Sequence, residues 1–187
     1  MPDHNTILDF LKVYKTIYPN QKFVYMSLPI TTGPIFIEWY LEVGQYLIKT
    51  STEYKRLHKV SVIDKNIELA EQYAKNLFQS FNSTIINPTQ FDPDFSQEEF
   101  MIFWDAFIKE YASQVVFCPG WALSKGSLAE YIISLNADIK RWQYDYQSDS
   151  VSILNKEEAV KQITEAGEYL TSVGFNAHMQ ENILKLL

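Results

Sequence analysis

With 187 residues, 47% of them hydrophobic, the chain is long and apolar enough to bury a core as one domain, and nothing in it forces a second. A formal net charge of -7 argues against a nucleic-acid polymer as partner, since backbone binding relies on clustered Lys and Arg. It leaves room for one small anion held by helix N-termini and hydroxyls. The lone cysteine, Cys118, excludes an internal disulfide. The N-terminus lacks a secretory pattern and no apolar run approaches the roughly 20 residues of a membrane span, so a cytoplasmic protein without a membrane partner is expected.

In chain order, Asn5 is placed to cap a first helix in which Ile7, Leu8, Leu11, Tyr14 and Ile17 recur at helical spacing. Lys22 to Ser27 reads as a first strand, running into a turn with two prolines and a glycine, Leu28 to Pro34. Thr31, Thr32 and Gly33 suit contact with a sugar or phosphate, and they equally describe an ordinary connection. From Ile35 to about His58 the spacing of Trp39, Tyr40, Leu41, Leu47 and Ile48 predicts a helix through Gly44. This segment, 35–66, is expected as an insertion: plain packing, a lid, a specificity element or an oligomer contact.

Ile67, Ala70, Ala74, Leu77, Phe78 and Phe81 form the apolar face of a crossover helix, and Thr84 to Ile86 a second strand ending at Asn87-Pro88. Ser96 and Glu99 have capping-box spacing before a helix with an aromatic stripe, Phe100, Phe103, Trp104, Phe107 and Tyr111. Asp105 is offset from that stripe. Val115 to Cys118 is a continuous apolar run, as expected of a strand covered on both faces. After Pro119-Gly120 and the loop of Trp121, Ser124, Lys125, Gly126 and Ser127, a helix is expected to begin near Ser127 with Glu130 in its first turn. Its free N–H groups would then face the crevice beyond the strands. Ser127-x-x-Glu130 is also capping-box spacing, which alone accounts for a Glu there. Asp138 to Tyr144 reads as a fourth strand near an edge, Gln147 to Ser152 as a polar connector, and Asn155 as the cap of a last amphipathic helix closing near Gly174, before a short apolar tail.

His4, His58 and His178 are far apart and no Cys/His cluster has zinc spacing; neither GxxxxGK[ST] nor GxGxxG occurs. No metal or cofactor is therefore expected, and carboxylates are left as the groups able to do chemistry.

The strand ending in Pro-Gly-Trp, the Ser-x-Gly and the Glu at a helix start resemble the nucleoside 2-deoxyribosyltransferase-like superfamily, which includes deoxyribosyltransferases and nucleotide N-glycosidases. Val24 to Pro29 is similar to the family's first strand and Ile85 to Pro88 to its second, so the likeness spans roughly residues 22 to 145. It implies an α/β three-layer sandwich with a mostly parallel, flavodoxin- or Rossmann-like sheet of about four to five strands, here with extra N- and C-terminal helices. It implies Glu130 as a nucleophile on the sugar, Asp105 as a site aspartate positioning or protonating the base, and Tyr25 orienting the nucleophile. Ser124, Gly126, Ser127, Trp121, Thr31, Thr32, Gly33 and Asn87 are the expected substrate contacts. The serine at 124, where deoxyribosyltransferases proper carry an acid, tilts the expected substrate from a nucleoside toward its 5'-monophosphate. The family further implies a homodimer or larger homo-oligomer. A module that binds nucleotides without turning them over fits the same fold.

Overall fold

The computed structural model describes residues 4–17, 22–91 and 95–187. Five strands form one sheet: β1 (Phe23–Ser27), β2 (Ile85–Ile86), β3 (Ala112–Phe117), β4 (Lys140–Asp145) and β5 (Ser150–Ile153), in the order β2-β1-β3-β4-β5. The first four are mutually parallel, with Tyr25 paired to Ile86 on one side and to Val115 on the other, while β5 runs antiparallel to β4. All five residues of β1 are buried, as the apolar run FVYMS requires of a strand covered on both faces.

The helices are α1 (His4–Ile17), α2 (Pro34–Glu42), α3 (Thr52–His58), α4 (Asp64–Phe81), α5 (Gln97–Tyr111), α6 (Lys125–Asn136), α7 (Lys156–Ser172) and α8 (His178–Leu186). Side chains alternate across β1. Phe23 and Tyr25 join a core with Trp104, Phe107, Leu128, Tyr131 and Ile163 of α5, α6 and α7, while Val24 and Met26 pack with Ala70, Tyr73 and Leu77 of α4. The result is the α/β three-layer sandwich expected, with a mostly parallel sheet of Rossmann or flavodoxin type. The aromatic stripe of α5 is core, each such side chain contributing about 1.5–3 kcal/mol on burial. No described helix is long and apolar enough to cross a membrane.

Several elements differ from the sequence expectation. The helix drawn from 35 to 58 is two helices. α2 stops at Glu42, and Gly44, lying against the rings of Trp39 and Tyr40, opens a 3-10 turn before Ser51 caps α3. α3 then runs through a single π turn, Lys59–Ile63, directly into α4. The connector drawn at 147–152 runs into β5, whose Ser-Val-Ser-Ile alternates over only four residues and is mostly exposed, too short a pattern to set it apart from the polar loop before it. The tail is α8, packed on α7 through buried Ile183. The cap assigned to Asn5 falls on a side chain outside the described residues.

Candidate active site

The chain leaves β1 outward to β2 and returns on the other side to β3, so the sheet order reverses between β1 and β3. Ligand crevices in open parallel sheets lie beyond the carboxyl ends of the strands at such a switch point. Here those ends are Ser27 and Phe117.

Tyr25 and Ser27 are two residues apart on β1 and therefore share a face of the sheet, the one that α5 and α6 cover. α6 begins just past β3, next to β1, and its second turn brings Glu130 onto that pair. The Tyr25 hydroxyl donates to Oε1 at 2.6 Å and the Ser27 hydroxyl to Oε2 at 2.6 Å. These are the short distances of hydroxyls bonded to a carboxylate.

Glu130 does not close a capping box on Ser127. Ser124 is the N-cap, its hydroxyl accepting from the Ser127 N–H at 3.4 Å, so α6 starts at Lys125 and Glu130 falls one turn deeper than expected. That long cap bond sets a small effect for Ser124→Ala: about 0.5–1 kcal/mol of stability, read by urea unfolding.

Burial pushes the Glu130 carboxyl from an ordinary 4.5 up to about 7, against the pull of the Ser27 and Tyr25 hydrogen bonds toward lower values. The residue nevertheless keeps partial exposure. The carboxyl thus sits in a low-dielectric surrounding within a residue that is only half-buried, an environment in which a carboxyl is tuned toward neutrality. Tyr25 is held well above its usual value by burial first, then by the Glu130 charge and their hydrogen bond, so it stays a protonated donor. Trp104 lies against its ring, centroids 5.3 Å apart.

The loops beyond the carboxyl ends of β1 and β3 are interlocked. A Cβ on Gly33 would fall 2.5 Å from Pro29, and one on Gly120 would fall 2.6 Å from Pro34. The loop after β1 is thereby seated on the loop after β3. From segment 35–66, Asn66 donates to the Ile30 carbonyl at 2.8 Å and His58 Nε2 lies 3.0 Å from the Thr31 carbonyl. A carbonyl only accepts, so His58 carries its proton on Nε2. Segment 35–66 therefore braces the loop that holds Thr31, Thr32 and Gly33. Thr31 is exposed, Thr32 half-buried and Gly33 buried.

The other expected contacts divide. Ser127 is buried at the N-terminus of α6 and its hydroxyl has no hydrogen-bond partner among the described residues, while Gly126 beside it is half-buried. Asn87 ends β2 with its carbonyl oxygen taken by the Thr89 N–H and hydroxyl, which fixes the amide so that its buried, unpartnered end is Nδ2.

Trp121 packs into the core on the α7 side. It is buried against Phe117 and Tyr131, and its indole N–H donates to Gln162 of α7 at 2.6 Å. A hollow of about 290 Å³ there, lined by Gly120, Trp121, Gln162, Glu165 and Tyr169 among others, does not have Glu130 in its walls.

Asp105 is likewise not brought to Glu130. Its side chain is 41% exposed and paired at 2.7 Å with Lys109, one turn along α5. The aromatic stripe decides this: burying Trp104, Phe107 and Ile108 turns the flank carrying Asp105 and Lys109 to solvent.

Ser27 was missed as a site residue. The available signal was its spacing of two from Tyr25 in a strand. Cys118, one step past β3, is buried with its thiol pushed far up by desolvation, which makes it inert. Comparison with protein families, with curated proteins and with solved structures finds no match to this chain.

Proposed function

We propose that the chain cleaves the N-glycosidic bond of a nucleoside or nucleoside 5'-monophosphate through a covalent glycosyl–Glu130 intermediate. The observation that carries this is the carboxylate of half-buried Glu130 at the switch point, oriented by two hydroxyls rather than by its own helix. One oxygen attacks the anomeric carbon as the base departs, and water or a second base then releases the sugar. The α6 N-terminus, with the unpartnered Ser127 hydroxyl and Gly126 beside it, favours a 5'-phosphate.

The test is base release, followed by chromatography, from a panel of ribo- and deoxyribonucleosides, their monophosphates and pyridinium counterparts, with Glu130→Gln as the control. Release that depends on Glu130 supports the proposal, and a panel left intact sinks it. Asp105, engaged by Lys109, favours one second reading, a module that binds without turnover. Its signature is ligand-dependent thermal stabilisation with no base released.

Tyr25→Phe gives a separate check. Removing a donor that pulls the Glu130 pKa down moves the acidic limb of the kcat/KM profile to higher pH. A limb that stays in place would mean that Glu130 is not the group being titrated.

A further inference from the structure

Ser27 closes β1, fully buried and paired in the sheet with Phe117 of β3. Its backbone is held on the same side, because its carbonyl accepts from the Cys118 N–H at 2.9 Å. The residue is thereby fixed, and the hydroxyl is the part that turns. Among the described residues that hydroxyl bonds to Glu130 Oε2 alone, at 2.6 Å. Of the two hydroxyls on the carboxylate, the one on Ser27 pulls its pKa down more than the one on Tyr25.

An ionised carboxylate oxygen is a stronger acceptor than either oxygen of an ester. A buried hydroxyl aimed at it therefore stabilises the ionised side chain over an esterified one. For a hydrogen bond to a charged group the preference is about 10–100-fold in the equilibrium between the two. Ser27 thus weighs on the balance between free Glu130 and Glu130 bonded to a sugar.

We infer that Ser27 drives the second half of the reaction: by holding the carboxylate it expels Glu130 from the sugar and keeps the glycosyl ester short-lived. This rests on the glycosyl-transfer function proposed above. In the first step a Glu130 oxygen bonds to the anomeric carbon and the bond from that carbon to the base nitrogen breaks. Its electron pair leaves with the base, which takes up a proton from solvent. In the second step a water oxygen bonds to the anomeric carbon, the ester bond breaks with its electron pair passing to Glu130, and one water proton passes to solvent. The Ser27 hydroxyl lowers the energy of the carboxylate at both ends of the cycle. It therefore restrains the first step and promotes the second.

The experiment compares the full chain with Ser27→Ala and Ser27→Cys near pH 9, above the acidic limb, on each ribo- and deoxyribonucleoside and monophosphate of the panel above. Base is followed by rapid-quench chromatography, and sugar bound to the protein by intact mass after excess substrate is removed. Ser27→Ala is expected to release its first equivalent of base at least as fast as the parent and to lose the bound sugar about 10–100-fold more slowly. Ser27→Cys, similar in size with a weaker donor, is expected to fall between the two. A first equivalent slowed together with decay of the adduct would mean that Ser27 only shapes its surroundings. That result, or adduct lifetimes that do not lengthen from Ser to Cys to Ala, overturns this inference and leaves glycosyl transfer standing. Base released with no adduct in any variant, or no base released at all, overturns both.

Discussion

Glu130→Gln is expected to lower base release by about 10³-fold or more while making the folded protein more stable above pH 7. The first effect follows from removing the proposed nucleophile, since loss of a nucleophile is among the largest single-residue effects on turnover. The second follows from the raised pKa. The native state keeps a proton on Glu130 up to about pH 7, whereas the unfolded chain loses it near 4.5. Between those values the native state binds more protons, so stability falls as pH rises. The contribution is intact below pH 4.5 and is gone above 7, a cost on the order of 3 kcal/mol before allowance for the partial exposure of the residue.

A glutamine never ionises and avoids that cost. The variant should match the parent near pH 4 and exceed it by about 1–3 kcal/mol at pH 8 in denaturant titrations. A variant less stable than the parent at pH 8 would mean that the charged carboxylate holds the fold together, and the functional assignment would lose its basis. Stability gained where turnover is lost is the behaviour expected of a group kept in an unfavourable place for its chemistry.

Gly120→Ala is expected to cost about 2–4 kcal/mol and to lower turnover with it. Gly120 sits at φ +80°, where a side chain is strained, and the new Cβ would meet Cδ and Cγ of Pro34 at 2.6 Å. A proline ring has no rotamer to yield, so the loop after β1 must move, and that loop continues from the strand presenting Tyr25 and Ser27 to Glu130. Gly174 supplies the comparison, because it has nearly the same φ, +81°, and nothing within 4 Å of an added Cβ. Gly174→Ala should therefore show the backbone strain alone, about 1–2 kcal/mol, with turnover retained. Equal losses at the two positions would remove the interlocked loops from the account of the site.

Two Ser-x-x-Glu sequences show how far the chain could be read before folding. At Ser96 and Glu99 the capping box forms in full, with the Ser96 hydroxyl accepting the Glu99 N–H and Glu99 reaching back to the Ser96 N–H. At Ser127 and Glu130 the same spacing forms no box, because Ser124 caps the helix three residues earlier and β1 offers Glu130 two hydroxyls instead. Local spacing is identical in the two cases; the neighbouring strand differs.

Local pattern determined the buried strands β1 and β3, the apolar face of α4, the core stripe of α5 and the Asn155 cap of α7, because each depends on residues within a turn or two of one another. It did not reveal β5, whose polar residues are held by pairing to β4, nor the break at Gly44, where packed rings end the helix. Tertiary structure alone decided the site. Glu130 meets Tyr25 and Ser27 across more than 100 residues of chain, while Asp105, which only the family resemblance set beside them, is half-exposed and paired with Lys109 on the flank of α5. Which carboxylate is shielded and which is solvated depends on the packing of a helix against a sheet. That packing sets the electrostatics of each group, and no spacing along the chain records it.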